Sequence, residues 1–274
     1  MLSYIIWNTD PELFTIPEFL GIGPITVRWY GLLFAAAFLF GQQIMVHIFK
    51  SEKKPLADID ALTLYMLIST VLGARIGHFL FYEPEVLLTR PLEVFLPPFA
   101  GLASHGAAIG ILTGLWLYTR SRKATGQSYL WVADRMVIII ALAAFFIRFG
   151  NLMNSEIVGR PSDVSWAFIF MQNFEYTQVP RHPAQLYEAL SSLVLFGILF
   201  LLWNKKKGST PLGSLTGIFL IWIFTLRFFY EFLKENQVSF EDQLSLNMGQ
   251  ILSIPAVLLG FYFLWKSRQP KIVS

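Results

Sequence analysis

Residues 136–163 read MVIIIALAAFFIRFGNLMNSEIVGRPSD. The first part, Met136 to Phe146, is an unbroken apolar run that suits the interior of a lipid bilayer. Arg148, Asn151, Asn154 and Glu156 then arrive within nine residues. Arg148, Asn151 and Asn154 are spaced i, i+3 and i+6, so a helix carries them near one face. Desolvating each of these groups costs kilocalories, and a chain that carries them at the edge of hydrocarbon normally uses them. The guanidinium is a planar fork of donors that matches phosphate. Gly159 and the Arg160-Pro161 pair stop the helix and begin a loop. The competing account is a helix end whose polar residues simply reach out to the membrane interface.

Composition extends this reading to the whole chain. The 274 residues are 55% hydrophobic and only 14% charged, with 26 Phe and 8 Trp, whereas soluble proteins carry about a quarter charged residues. This is the profile of an all-α polytopic membrane protein. A net charge of +3 implies no nucleic-acid partner. Without Cys the chain has no disulfide framework, no thiolate metal site and no cysteine nucleophile of its own. The start, MLSYIIWNTDPELF, lacks the basic and apolar regions of a cleavable signal peptide.

Seven apolar segments are long enough to span, near residues 24–49, 61–82, 101–119, 133–153, 183–203, 212–233 and 247–265. Gly23-Pro24 is expected to start the first. Gly73, Ala74 and Gly77 in the second suit close helix packing. With no internal repeat, an inverted-repeat transporter gains no support, and residues 1–274 read as a single seven-span membrane domain.

The loops orient it. Lys50, Lys53, Lys54, Arg120, Arg122, Lys123, Lys205, Lys206, Lys207, Lys266, Arg268 and Lys271 all fall on one side of a seven-span arrangement. The other side holds four cations, Arg90, Arg160, Arg181 and Lys234, among acids that include Glu83, Glu85, Glu241 and Asp242. The positive-inside rule then puts the N-terminus outside and the C-terminus in the cytoplasm. Residues 83–100, with four prolines, suggest a short re-entrant or interfacial helix. Residues 155–182 form the longest loop, expected to contribute a small external cap. Within it Trp166, Phe168 and Phe170 alternate, as in a hairpin over Ser165 to Tyr176.

Polar residues converge at one depth in this scheme. Tyr30 lies about two turns inside the first span, and Arg75 and His78 in the outer half of the second. His105 lies near the outer end of the third span, Arg148 and Asn151 at that of the fourth, His182 and Gln185 at that of the fifth. Arg227 and Glu231, at i and i+4, lie at the outer end of the sixth. Each has an ordinary explanation: an intrahelical ion pair for Arg227 and Glu231, a hydrogen-bonded helix end for His105, an aromatic belt for Tyr30. Their coincidence points instead to a net-positive pocket at headgroup depth, suited to an anionic lipid. No HExxH, Walker A or GxSxG sequence is present, no Asp is expected within an apolar core, and the four His are too dispersed for a metal site.

These residues resemble the bacterial phosphatidylglycerol–prolipoprotein diacylglyceryl transferases. The resemblance rests on Arg148, Asn151, Asn154, Glu156 and Gly159 in the stretch quoted above. It continues through Arg28-Trp29-Tyr30-Gly31, Gly73-Ala74-Arg75-Ile76-Gly77, Ser104-His105-Gly106, Arg181-His182-Pro183, Gln185-Leu186-Tyr187-Glu188, Arg227-Phe228 with Glu231, and Met248-Gly249-Gln250-Ile251-Leu252. It covers nearly the whole chain in order. It implies a seven-spanning enzyme of the bacterial cytoplasmic membrane, working from the outer leaflet without metal or cofactor. Such an enzyme moves the diacylglyceryl group of phosphatidylglycerol to the lipobox cysteine thiol of a prolipoprotein, giving a thioether and glycerol 1-phosphate. The catalytic residues implied are His105, Arg148 and Arg227. His105 would be the base, because imidazole titrates closest to neutral pH, and the two arginines would stabilise the leaving phosphate. Tyr30, Arg75, Asn151, Asn154, Glu156, Gly159 and Glu231 would bind or shape the substrate site. The chain departs from the family pattern at Ile223, where a Tyr is frequent, and Tyr230 is expected to lie on another helical face. Gly106-Ala107-Ala108 follows His105, where Gly-Gly is frequent. A lipid or anionic-solute transporter is the rival reading, but the inner halves of the spans hold almost no ionisable groups.

Overall fold

The computed structural model describes residues 4–18, 23–95, 101, 103–175, 179–234 and 246–269. Glu241, Asp242 and Lys271, which helped to orient the chain, lie outside these residues. So do residues 96–100 of the 83–100 loop and residues 176–178 of the 155–182 loop, with them the Tyr176 end of the expected hairpin. The main elements are β1 (Ile5–Trp7), β2 (Glu12–Ile16), β3 (Ile25–Arg28), α1 (Trp29–Ser51), α2 (Ala57–Tyr82), α3 (Pro84–Thr89), α4 (Ser104–Ser121), α5 (Tyr129–Met153), β4 (Phe168–Phe170), α6 (Ala184–Lys206), α7 (Ser214–Tyr230) and α8 (Met248–Ser267). Short 3-10 turns cover Pro91–Phe95 and Glu231–Leu233.

Among the described residues six helices, α1, α2, α5, α6, α7 and α8, are long and apolar enough to cross a membrane. Their faces carry large exposed apolar side chains, such as Leu64, Leu258 and Trp265, which water would penalise and lipid would not. The expected third span is α4. It has 18 residues, but its glycines, His105 and two threonines dilute its apolarity, and it does not join the six.

The chain divides into two compact units, one of residues 45–133 and one of residues 1–44 with 134–274. In the first unit α2 packs on α4 through small residues, as Gly73, Ala74 and Gly77 led us to expect. A Cβ placed on Gly73 would stand 2.5 Å from the Gly106 carbonyl oxygen, and one on Gly110 2.0 Å from that of Ser69. Backbones this close leave no room for any side chain, so dispersion between the helices replaces a hydrophobic drive that lipid cannot supply. A buried polar knot sits at the far end of the pair. Asp58 meets Arg122 Nε at 2.8 Å and accepts from Gln127 Nε2 at 2.5 Å, while Tyr118 donates to Gln127 Oε1.

In the second unit α7 packs along α8, and α6 contributes the fully buried Leu195, Leu199 and Trp203. The N-terminal segment departs from expectation. Gly23-Pro24 does not start a helix; residues 25–28 form β3, antiparallel to β2, and α1 begins at Trp29. Tyr30 is therefore in the first turn of α1, not two turns inside it. The alternation around Phe168 is real, with Phe168 and Phe170 buried. However, β4 pairs in parallel with β1 rather than folding back as a hairpin. Trp7 stacks on Phe168 at 5.5 Å and donates through Nε1 to the Leu152 carbonyl, tying this small sheet to the end of α5.

Asp134 corrects the expectation that no Asp lies inside a span. It sits in α5 with no exposed surface and caps α7 from the side. Its Oδ2 accepts from Gly213 N at 2.7 Å, and its Oδ1 accepts from Thr216 N and Oγ1 at 2.8 and 2.7 Å. These bonds satisfy donors that the start of a helix leaves without partners. Asp134→Ala should lower stability by about 2–4 kcal/mol, since it orphans one buried and two part-buried donors. The midpoint of thermal unfolding in detergent measures this, and an unchanged midpoint would show the cap to be dispensable.

Candidate active site

The stretch that ends α5 folds as a splint. The helix closes with Asn154 N, Ser155 N and Glu156 N donating back to Gly150, Leu152 and Asn151 carbonyls. Ser155 and Ile157 then adopt positive φ, 55° and 54°. A β-branched residue there is strained and persists only where its surroundings hold it. What holds it follows directly. Gly159 N donates to the His182 carbonyl at 2.9 Å, and Arg181 Nη1 donates to the Gly159 carbonyl at 3.1 Å. Arg160 N reaches the Leu233 carbonyl at 2.7 Å and its Nε the Lys234 carbonyl at 2.7 Å. A Cβ on Gly159 would lie 2.6 Å from the His182 oxygen and 2.8 Å from that of Leu233. Glycine is needed here because three backbone segments meet.

Beside the splint, Arg148, Glu188, Ser191, Ser192, Ile223, Arg227 and Tyr230 line a cavity of about 110 Å³ with Ala144 and Leu226. A line of alternating charges runs behind it. Arg148 Nε meets Glu188 Oε2 at 2.5 Å, and Lys234 Nζ meets Glu188 Oε1. Lys234 Nζ also lies 3.7 Å from Glu231 Oε1, and Arg227 Nε 3.6 Å from the same oxygen. Asn247, which caps α8 through Gln250, donates its Nδ2 to Glu231 Oε2 at 3.1 Å. Three cations thus face two carboxylates, leaving an excess positive charge. The two arginines at the ends of the line both reach the cavity, and Arg227 keeps 45% of its side chain exposed.

Glu156 gathers a second group. Its carboxylate accepts from Asn154 Nδ2 at 2.5 Å and Asn151 Nδ2 at 3.5 Å, and its carbonyl accepts from Gln185 Nε2. The Oδ1 atoms of Asn151 and Asn154 are buried and accept no hydrogen bond within the described residues. Tyr30 packs its ring against Gly150, one residue before Asn151.

The remaining candidates belong to the 45–133 unit. Arg75 is buried in α2, donating Nε and Nη2 to the carbonyls of Val94 and Glu93 at 3.1 and 3.0 Å, and stacks on Phe79. His78 pairs with Glu83 at 3.1 Å. His105 is the second residue of α4, half-buried, with Phe81 edge-on at 4.7 Å and Tyr82 at 6.0 Å. In the other unit, His182 contacts the Tyr187 hydroxyl, which accepts from Trp166 Nε1.

Two members of the charge line were given no site role from sequence: Glu188, quoted only within the Gln185-Leu186-Tyr187-Glu188 match, and Lys234, counted only as a loop cation. Glu188 carried a signal: a carboxylate inside an apolar span is expensive and calls for a partner. Lys234 carried none, because it reads as one more loop cation. Tyr230 corrects its expected placement. Seven residues separate it from Ile223, close to two helical turns, and both line the cavity with Arg227.

Comparison with known proteins bears on the chain as a whole. A family model described as prolipoprotein diacylglyceryl transferase matches residues 17–266. The chain is 46% identical over 265 residues to the phosphatidylglycerol–prolipoprotein diacylglyceryl transferase of Chloroherpeton thalassium, covering 97% of this chain and 95% of the relative. It is 42% identical to that of Tolumonas auensis, over 97% and 99% of the two chains, and 41% identical to that of Bacteroides fragilis, over 100% and 99%.

Proposed function

This chain belongs to the prolipoprotein diacylglyceryl transferase family, and from that premise we propose how its residues perform the reaction. The protein transfers the diacylglyceryl group of phosphatidylglycerol to the cysteine of a prolipoprotein. In our reading the substrate thiolate attacks the carbon of the diacylglycerol moiety that bears the phosphate. A carbon–sulfur bond forms, the carbon–oxygen bond breaks, and glycerol 1-phosphate leaves with the electron pair. Negative charge grows on the phosphate oxygens, so donors fixed in advance around them lower the barrier. The observation that carries this reading is the cavity shared by Arg148 and Arg227, each held by its own carboxylate. A guanidinium held through Nε still carries four N–H bonds on its terminal nitrogens.

Asn151 and Asn154, whose amides Glu156 orients, offer carbonyl oxygens to the glycerol hydroxyls or the peptide amides. Tyr30 and Arg75 complete the lipid contacts in this proposal, Gly159 shapes the loop and Glu231 holds Arg227. His105 takes the thiol proton, since a thiol is mostly protonated at neutral pH. The nucleophile is the substrate's, in keeping with a chain that has no Cys. Purified protein incubated with phosphatidylglycerol and a lipobox peptide should add one diacylglyceryl mass to the peptide. An unchanged peptide mass would overturn the reading, and lipid movement between leaflets in its place would favour the transporter.

The protein is a multi-pass membrane protein of bacterial type. We further propose that α4 is a seventh span, that the N-terminus lies outside and the C-terminus inside the cytoplasmic membrane, and that the strands and the 155–182 loop form a small external cap. The support for the orientation is the asymmetry of loop cations, twelve on one side against five on the other once Arg28, which precedes α1, is counted with Arg90, Arg160, Arg181 and Lys234. Reporter fusions after Lys54, Lys123 and Lys207 should read cytoplasmic, and an external reading at any two would break the seven-span scheme.

A further inference from the structure

We infer that Lys234 is a positioning residue that sets the spacing of Arg148 and Arg227, an inference that rests on the phosphate-binding reading of their cavity. Lys234 is 5% exposed and is not among the residues lining that cavity. It stands at the centre of the line Arg148, Glu188, Lys234, Glu231, Arg227, with its ammonium against one oxygen of each carboxylate. Its main chain is held as well. The carbonyl accepts from Arg160 Nε at 2.7 Å, and the residue bridges to Gly159 of the splint. Anchoring of this kind is more than neutralising two acids requires. A buried charge pair is weak grounds for stability by itself, because desolvation offsets the attraction.

The arrangement does have a geometric consequence. Glu188 arises from α6, Glu231 from the turn after α7, and each touches a different arginine. One ammonium pulls both carboxylates toward a common point. Without it they repel, and each is left to its arginine alone. The line would then hold two cations and two carboxylates, with no excess positive charge for a phosphate. Lys234 thus couples the loop built by Gly159 and Arg160 to the distance between the two guanidinium groups.

The test uses Lys234→Met, Lys234→Arg and the double variant Glu188→Gln/Lys234→Met, purified in detergent, with kcat and KM measured separately for phosphatidylglycerol and for a lipobox peptide. We expect Lys234→Met to lower kcat/KM for the lipid by about tenfold or more, the scale of a lost charge-assisted contact, with the peptide KM within about twofold of wild type. Lys234→Arg, which keeps the charge, should recover most of the loss. Unchanged lipid parameters, or an equal loss toward both substrates, would overturn the inference. If Lys234→Met does not accumulate as folded protein, the double variant, which removes the uncompensated carboxylate, is judged by the same criteria. Failure of both to fold also overturns it, since Lys234 would then hold the fold and not the arginines. Full activity of Arg148→Ala and Arg227→Ala would remove the site reading itself. Loss of activity in those two with Lys234→Met unaffected removes only this inference.

Discussion

Arg148→Lys should be nearly as inactive as Arg148→Ala, with both losing about ten- to a hundredfold in turnover, since one charge-assisted hydrogen bond in a partly desolvated site is worth about 1.5–3 kcal/mol. The reasoning is geometric. Arg148 has two tasks in this structure: it meets Glu188 through Nε and it lines the cavity it shares with Arg227. A guanidinium does both at once because its donors are spread over a rigid plane. An ammonium on a shorter stem is a point charge, and Glu188, already bonded by Lys234, would compete with the phosphate for it. If Arg148 merely extended toward the membrane interface, Lys would substitute well and only Ala would suffer. Turnover is to be measured at saturating and limiting phosphatidylglycerol on protein confirmed to be inserted. A fully active Lys variant would refute two-point recognition at Arg148 and leave Arg227 as the principal phosphate ligand.

What could be read from the sequence, and what could not, follows from the range of the interactions involved. The long helices were legible because an apolar run and its flanking charges are local signals. The expected ends near 82, 153 and 203 lie within a few residues of those of α2, α5 and α6. The strands were not, because β1 is three residues long and its partner β4 lies some 160 residues away. Nothing within Ile5–Trp7 announces that pairing. Gly23-Pro24 misled for a related reason: the pair is a sound helix-start signal, but the four residues after it extend because β2 is there to receive them.

The site divides in the same way. Arg148, Asn151 and Asn154 stood out because polar groups next to hydrocarbon are costly and regularly spaced. Glu231 stood out through its i, i+4 relation to Arg227. Lys234 was counted as a topology signal, and only the fold shows its ammonium buried between two carboxylates. Gly159 was legible as a loop former, but the reason it must be glycine, the meeting of three backbones, belongs to the tertiary structure.

His105→Ala should insert and fold yet lose roughly 10²–10⁴-fold in rate at neutral pH, the usual effect of removing a general base. Folding should survive because the ring is only half-buried and its ring contacts are aromatic, Phe81 edge-on and Tyr82 tilted, rather than a hydrogen-bonded network. The closest backbone approach of α4 to α2 runs through Gly106 and Gly110, and the imidazole adds only its ring contacts with Phe81 and Tyr82 of α2. The pH dependence separates a base from a structural residue. In the wild type the ring takes the thiol proton. In the variant no base remains, and the rate must follow the thiolate fraction of the substrate. It should rise about tenfold per pH unit until the substrate thiol itself titrates, near 8.5 for a free cysteine. A purely structural histidine predicts instead a loss that is the same at every pH. Single-turnover rates against a lipobox peptide between pH 6 and 9 distinguish the two. Full activity of the variant at neutral pH would exclude His105 as the base and leave the positive field around Arg148 and Arg227 to lower the pKa of the thiol.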